Sequence, residues 1–201
     1  MPAISSIVEG DGEVQAVPLL IRRLGALIAP GLSLHIPRPI RVKRDQVVKP
    51  GELERAVELA ARQAGRNGAI FVLLDADGDC PAELGPSLLA RAARARSDFI
   101  IGLTLAKHEY EAWFLAAADS LRGQRNLSPD LTSPPDPENV HGAKEWLSRQ
   151  MTGIHSYVET LDRAPLTAGF DVMAARESDS FDKCFREIER LLLALKPTAP
   201  P

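Results

Sequence analysis

Ile4–Val8 is a short apolar run that stops at Glu9-Gly10-Asp11-Gly12, the pattern of a buried strand ending in a turn. From Glu13 onward Val14, Val17, Leu20, Ile21, Leu24 and Ile28 recur at helical spacing, which predicts a helix closed by Gly31. Pro18 is expected in its first turns, where a missing N–H is tolerated. Leu32–Ile36 and Ile40–Val42 read as strand pieces broken by Pro37 and Pro39. Pro50 opens a predicted helix through Gly65, with Leu53, Val57, Leu59, Ala60 and Ala64 on its apolar side. Ala69–Leu74 is the clearest buried strand and runs into Asp75-Ala76-Asp77-Gly78-Asp79. Pro81 starts a helix to about Arg96; Asp98–Leu105 is a further strand and Glu109–Ser120 a further helix.

Strands alternating with helices through short turns predict an α/β fold with a mainly parallel sheet flanked by helices. Sites in such sheets lie beyond the carboxyl ends of the strands, and the acidic runs of this chain stand at those ends. Leu121–Val140, with Ser133-Pro134-Pro135-Asp136-Pro137, reads as a mobile surface loop. Helices are expected over His141–Met151, Leu166–Ala175 and Ser180–Leu195. The expected organisation is an α/β core over 1–120, a Pro-rich loop over 121–140, a helical extension of the same domain over 141–195, and a flexible tail over 196–201.

Composition narrows this picture. The chain has 201 residues and is 45% hydrophobic, enough to fill the core of one domain. No apolar run is long enough to span a bilayer, and no secretory leader is expected. Two cysteines, Cys80 and Cys184, make neither a metal spacing nor a disulfide framework, so a reducing cytoplasm is the expected compartment. The net charge of −3 does not announce a nucleic-acid partner. Locally, Arg38, Arg41, Lys43, Arg44 and Lys49 form one basic cluster and Arg91, Arg94 and Arg96 another. Each is either a solvated face or a phosphate-contacting surface.

Three acidic groups carry the candidate chemistry. Glu9 and Glu13 flank a glycine turn that lets two carboxylates converge. Asp75 and Asp77, two apart in an extended segment, project to one side and suit a shared divalent cation. Glu109 or Glu111 follows the strand ending at Leu105, and Glu111 adjoins the apolar run Ala112-Trp113-Phe114-Leu115. An acid so close to a core needs a partner or an ion. Oxygen ligands without a Cys/His cluster favour Mg²⁺ or Mn²⁺ over Zn²⁺. For Asp79 the favoured role is a helix N-cap. For Trp113 and Trp146 it is packing.

Ile7-Val8-Glu9-Gly10-Asp11-Gly12-Glu13 after one strand and Leu73-Leu74-Asp75-Ala76-Asp77-Gly78-Asp79 after another resemble the Toprim domain of topoisomerases, bacterial primases and overcoming-lysogenisation-defect nucleases. The set Arg41-Val42-Lys43-Arg44, Glu109-Tyr110-Glu111-Ala112-Trp113-Phe114 and Ser178-Asp179-Ser180-Phe181 brings the chain closer to the DUF4276 group of stand-alone Toprim-like proteins. The resemblance implies a Toprim-like (Rossmann-like) fold. It implies that Glu9, Asp75 and Asp77 are catalytic and bind Mg²⁺ or Mn²⁺, with Glu13 and Glu111 as further metal ligands. It also implies an ATPase partner and a role in phage defence. The chain carries no ATPase motif of its own.

Three functions follow as expectations. The first is a metal-dependent nuclease, with phosphates of DNA or RNA placed by Arg41, Lys43 and Arg44. The second is a non-catalytic partner or regulatory subunit of an ATPase. The third is a metal-dependent phosphatase on small nucleotides.

Overall fold

The computed structural model describes residues 1–196; the tail expected over 196–201 lies, beyond Lys196, outside them. β1 (Ile4–Val8) and β3 (Ala69–Asp75) are buried along their whole length, so both faces of the sheet need cover. With β2 (Ile40–Arg41) and β4 (Ile100–Ala106) they form a four-stranded, all-parallel sheet in the order β2-β1-β3-β4.

Alternation sorts the side chains between two cores. Val8, Phe71 and Leu73 pack on one side against α1 (Asp11–Ile28) and α8 (Asp179–Ala194). Ile7, Val72, Leu74, Leu103 and Leu105 pack on the other side against α3 (Glu52–Ala64) and α4 (Pro81–Ala95). The expected α/β fold with a parallel sheet, flanking helices and a helical C-terminal part is therefore observed. Among the described residues no helix is long and apolar enough to cross a membrane.

Several local expectations need correction. Pro18 lies inside α1, beyond the first turn that begins at Asp11. It is buried there, on the side of the helix that faces the core. Leu32–Ile36 makes a single parallel bridge, His35 to Ala3, instead of a strand, and an unexpected short helix, α2 (Arg44–Val47), follows β2. The helix expected over Glu109–Ser120 is regular only as α5 (Ala112–Ala116); Ala117 leaves helical geometry and a 3-10 turn continues to Leu121. The segment over 121–140, expected as a surface loop, is anchored. Leu121, Leu127 and Leu131 are buried in it, and Arg122 Nε donates to Leu131 O (2.6 Å). Its leucines, sparse among prolines and polar residues, pin an irregular chain to the core.

α6 (Ala143–Gln150) follows. α7 runs over Glu159–Gly169 with Pro165 inside it, well before the expected start at Leu166. α8 matches its expected span closely. Its N-cap Ser178 accepts from Phe181 N, and Trp113 Nε1 donates to Ser180 Oγ (2.8 Å). Trp113 is thus a packing residue, as expected.

Candidate functional site

Strand order reverses at β1: β2 lies on one side of it, β3 and β4 on the other. In an open parallel sheet this leaves a crevice between the carboxyl ends of the two strands at the reversal, the usual place for a ligand. Here those strands are β1 and β3, and they end in Glu9 and Asp75.

Glu9 leaves β1 partly buried, and its Oε2 is buried without a hydrogen-bond partner. Burial pushes its carboxyl pKa up, and the charge of Asp77 adds to the rise. Asp75 closes β3 and is buried; Tyr110 N donates to its Oδ1 (2.9 Å). Burial, followed by the charges of Glu13 and Glu111, raises its pKa well above the carboxylate range. Asp77 is exposed and held in the left-handed region at φ 51°. Its N–H donates to His108 O (3.2 Å), and His108 Nδ1 lies 2.9 Å from Asp77 O. These contacts fasten the turn after β3 to the turn after β4, so His108 positions backbone. Asp79 does not cap α4, whose N-cap is Cys80 without a side-chain bond; it pairs with Arg44 instead.

Glu13 and Glu111 reach the same end of the sheet from α1 and from just before α5. Both are buried, and both meet Arg163 of α7, itself 1% exposed. Arg163 Nε and Nη2 donate to Glu111 Oε1 (2.9 and 2.7 Å), Nη1 pairs with Glu13, and Nη2 stands 3.3 Å from Glu159. Tyr157 Oη also donates to Glu111 Oε1 (2.6 Å). Burial opposes the charge on Arg163, but Glu111 and Glu13 outweigh it and raise its pKa. Around this pair Lys144 holds Glu159 (3.1 Å), and Lys144 N donates to Glu109 Oε2 (3.3 Å). Gly10 and Gly12 serve close approach more than a turn. A Cβ on Gly12 would stand 2.7 Å from Glu159 Cγ, so the glycine lets α7 close on the start of α1.

The cations expected to meet phosphate divide. Arg41 pairs with Asp11 (2.8 Å) and donates to Glu9 O (3.3 Å). Arg44 donates to Asp75 O (3.2 Å). Lys43 is exposed and, among the described residues, has no ion-pair partner. The second cluster is largely spoken for: Arg91 binds Glu54 and the carbonyls of Val47, Val48 and Lys49, and Arg96 binds Asp98 and Glu58.

The acidic end therefore has two halves. Glu9 and Asp77 repel one another beside an unpartnered carboxylate oxygen. Glu13 and Glu111 share the single positive charge of Arg163, and each keeps one buried oxygen without a hydrogen bond. Among the described residues no group of three His, Cys, Asp or Glu side chains is arranged to hold a metal ion. Sequence reasoning missed Arg163, Tyr157, Lys144 and Glu159. The available signal was the stripe Glu159, Arg163, Leu166, Phe170, which puts two charges on the face that α7 buries.

A protein-family model described as a domain of unknown function, DUF4276, matches residues 8–189. No curated protein and no solved structure matches the chain.

Proposed function

The chain belongs to the DUF4276 family, and from that premise we propose that it is a metal-dependent phosphodiesterase acting on nucleic acid, as the Toprim likeness of its acidic motifs implies. The observation that carries this reading is the placement of Glu9, Asp75 and Asp77 at or just after the carboxyl ends of the adjacent strands β1 and β3, with a buried oxygen of Glu9 unpartnered.

The donor set suits Mg²⁺ or Mn²⁺: all ligands are carboxylate oxygens, and a cation would offset the burial and the Asp77 charge that together raise the pKa of Glu9. No ready-made three-carboxylate cage is present among the described residues. Mg²⁺ does not need one, since it is commonly held by one or two carboxylates with waters and substrate phosphates. Glu9 and Asp77 would hold the ion, with Asp75 behind them. When bound, it would polarise a phosphodiester and lower the pKa of a water. The chain's own part is to orient Glu9 and Asp75. Arg41 and Arg44 hold their carbonyls, and Tyr110 N holds the Asp75 carboxylate. Lys43 is left to meet phosphate.

The Arg163 network favours a second reading. Because Glu13 and Glu111 already have a protein cation, the acidic end also suits a structural role in a non-catalytic subunit, such as a partner of an ATPase.

One experiment separates the two. Cleavage of plasmid DNA and single-stranded RNA is measured with Mg²⁺ and Mn²⁺ for wild type and a Glu9→Gln/Asp77→Asn double variant. Metal-dependent cleavage lost in a folded variant is the expected result. Cleavage by neither protein, or equally by both, overturns the assignment.

A further inference from the structure

The two edges of the sheet are built differently. β2 is two residues long and follows Pro37 and Pro39, features that discourage another strand from pairing. At the other edge β4 runs for seven residues, Ile-Ile-Gly-Leu-Thr-Leu-Ala, with neither a charge nor a proline. Its main chain alternates sides. Ala106 O accepts from Ala76 N on the β3 side (2.8 Å), whereas Ile101 O accepts from Arg190 Nη2 (2.7 Å) on the open side. By that period Leu103 and Leu105 turn their N–H and C=O to the open edge. Among the described residues no hydrogen bond reaches them there.

α4 and α8 wall this edge and leave a groove of about 390 Å³. The α4 wall is low because of Gly85, where an added Cβ would stand 4.0 Å from both Leu103 and Leu105. Glycine inside a helix costs about 1 kcal/mol relative to alanine, and here there is room for the larger residue. Thr104 lines the groove, and its buried hydroxyl has no partner. Lys107 stands at the carboxyl end of the groove. Its Nζ donates to Asn139 Oδ1 (2.8 Å), and no carboxylate of the described residues pairs with it.

We propose that this groove takes the extended C-terminal end of another polypeptide as a fifth, parallel strand. Every existing pair in the sheet is parallel, and a parallel addition brings the terminal carboxylate to Lys107. Main-chain bonds to Leu103 and Leu105 supply the affinity, and the apolar α4 wall selects small side chains; the opposite wall is polar, with Glu138, Asp179 and Lys183, so the terminal carboxylate is held on the Lys107 side. Arg190 closes the far end at Ile101, so the docked segment is short. A second copy of this chain fits less well. Leu103 and Leu105 are each 4% exposed, and β4 of a second copy would be recessed between its own α4 and α8. The proposal uses no residue of the acidic site and stands apart from the function proposed above.

The test is selection of random heptapeptides displayed with free C-termini, on wild type and on Gly85→Leu, which fills the groove. Melting curves first establish that the variant is folded. Lys107→Glu, an exterior charge reversal, is the second variant should Gly85→Leu misfold. Wild type is expected to enrich peptides with small apolar residues and a free carboxylate. Amidation of the terminus, Gly85→Leu and Lys107→Glu should each weaken binding by about tenfold or more, the scale of one charge-assisted hydrogen bond. No enrichment, or equal binding of the selected peptides to all three proteins or after amidation, overturns the proposal. A wild-type dimer in sedimentation that Gly85→Leu abolishes overturns it in favour of a second copy.

Discussion

Glu9 with Asp77, and Glu13 with Glu111, are the same chemistry at the same end of the sheet in opposite surroundings. The first pair faces the crevice at the strand-order reversal, and burial, with the charge of Asp77 added, raises the pKa of Glu9. The second pair is deeper and is answered by Arg163, which no solvent reaches in quantity. A carboxylate cluster is thus not one object. Its outer half, Glu9 and Asp77, has no ion-pair partner among the described residues, and its inner half has a cation built into the fold. A buried ion pair is costly to break even where it contributes little relative to an apolar replacement. The inner half should therefore govern stability, and the outer half function.

The largest expected effect is at Arg163. Arg163→Met leaves Glu13 and Glu111 buried without their cation and should cost about 3–5 kcal/mol, as for other buried pairs that lose one partner. That corresponds to a fall in Tm of roughly 10 °C in a chain of this size. Urea and thermal unfolding measure it. A loss below about 1 kcal/mol would place the network with exposed ion pairs and erase the distinction between the halves.

Tyr157→Phe sharpens the same point with a smaller change. It removes only the hydroxyl that donates to Glu111 Oε1. A hydrogen bond to a charged group contributes about 1.5–3 kcal/mol, and urea unfolding should show a loss in that range. No change would mean that Arg163 alone satisfies Glu111.

The carboxylates of both halves were legible in the sequence, but the cation that answers the inner pair was not, for a physical reason. Glu9, Asp75 and Asp77 end apolar β-branched strands, so period and position announce them together. Glu159 and Arg163 are an i,i+4 pair on a helix, which reads as a solvated face. Only α7 packing across α1 shows that Arg163 is covered. The fold follows the same rule. β1, β3 and α4 carry strong local signals and lie where expected. α7, with Pro165 inside it, and the segment around Leu127 and Leu131 depend on contacts distant in sequence.

Glu9→Gln tests the outer half directly. It removes a partly buried carboxylate whose pKa is raised, so the charge opposes folding at neutral pH. The variant should be as stable as wild type or more so, by on the order of 1 kcal/mol, the lower end of what desolvating an unpartnered polar group costs. Binding of Mn²⁺, followed by the loss of its free electron-spin-resonance signal, should weaken in the same variant. A destabilised Glu9→Gln would mean that Glu9 belongs with Glu13 as a structural group.

The smallest effect, and the sharpest in sign, is the pH dependence of Glu9→Gln set against Glu159→Gln. Burial opposes the charge of Glu159, but Arg163 and Lys144 outweigh it and lower its pKa. A lowered carboxyl pKa gives stability that is present above the unfolded value, about 4.5, and is lost as pH falls through the folded value. A raised pKa, as at Glu9, does the reverse: the penalty is full above the folded pKa and disappears as pH falls through it toward 4.5. At pH 7 Glu159→Gln should therefore be less stable than wild type and Glu9→Gln no less stable. On acidification the advantage of Glu9→Gln should fade first, before pH 4.5 is reached, while the deficit of Glu159→Gln persists to about that pH and shrinks only below it. Urea unfolding at intervals between pH 7 and 3.5 gives both curves. Curves of the same sign at pH 7 would show that one field acts on both carboxylates, and that Arg163 does not divide the acidic end.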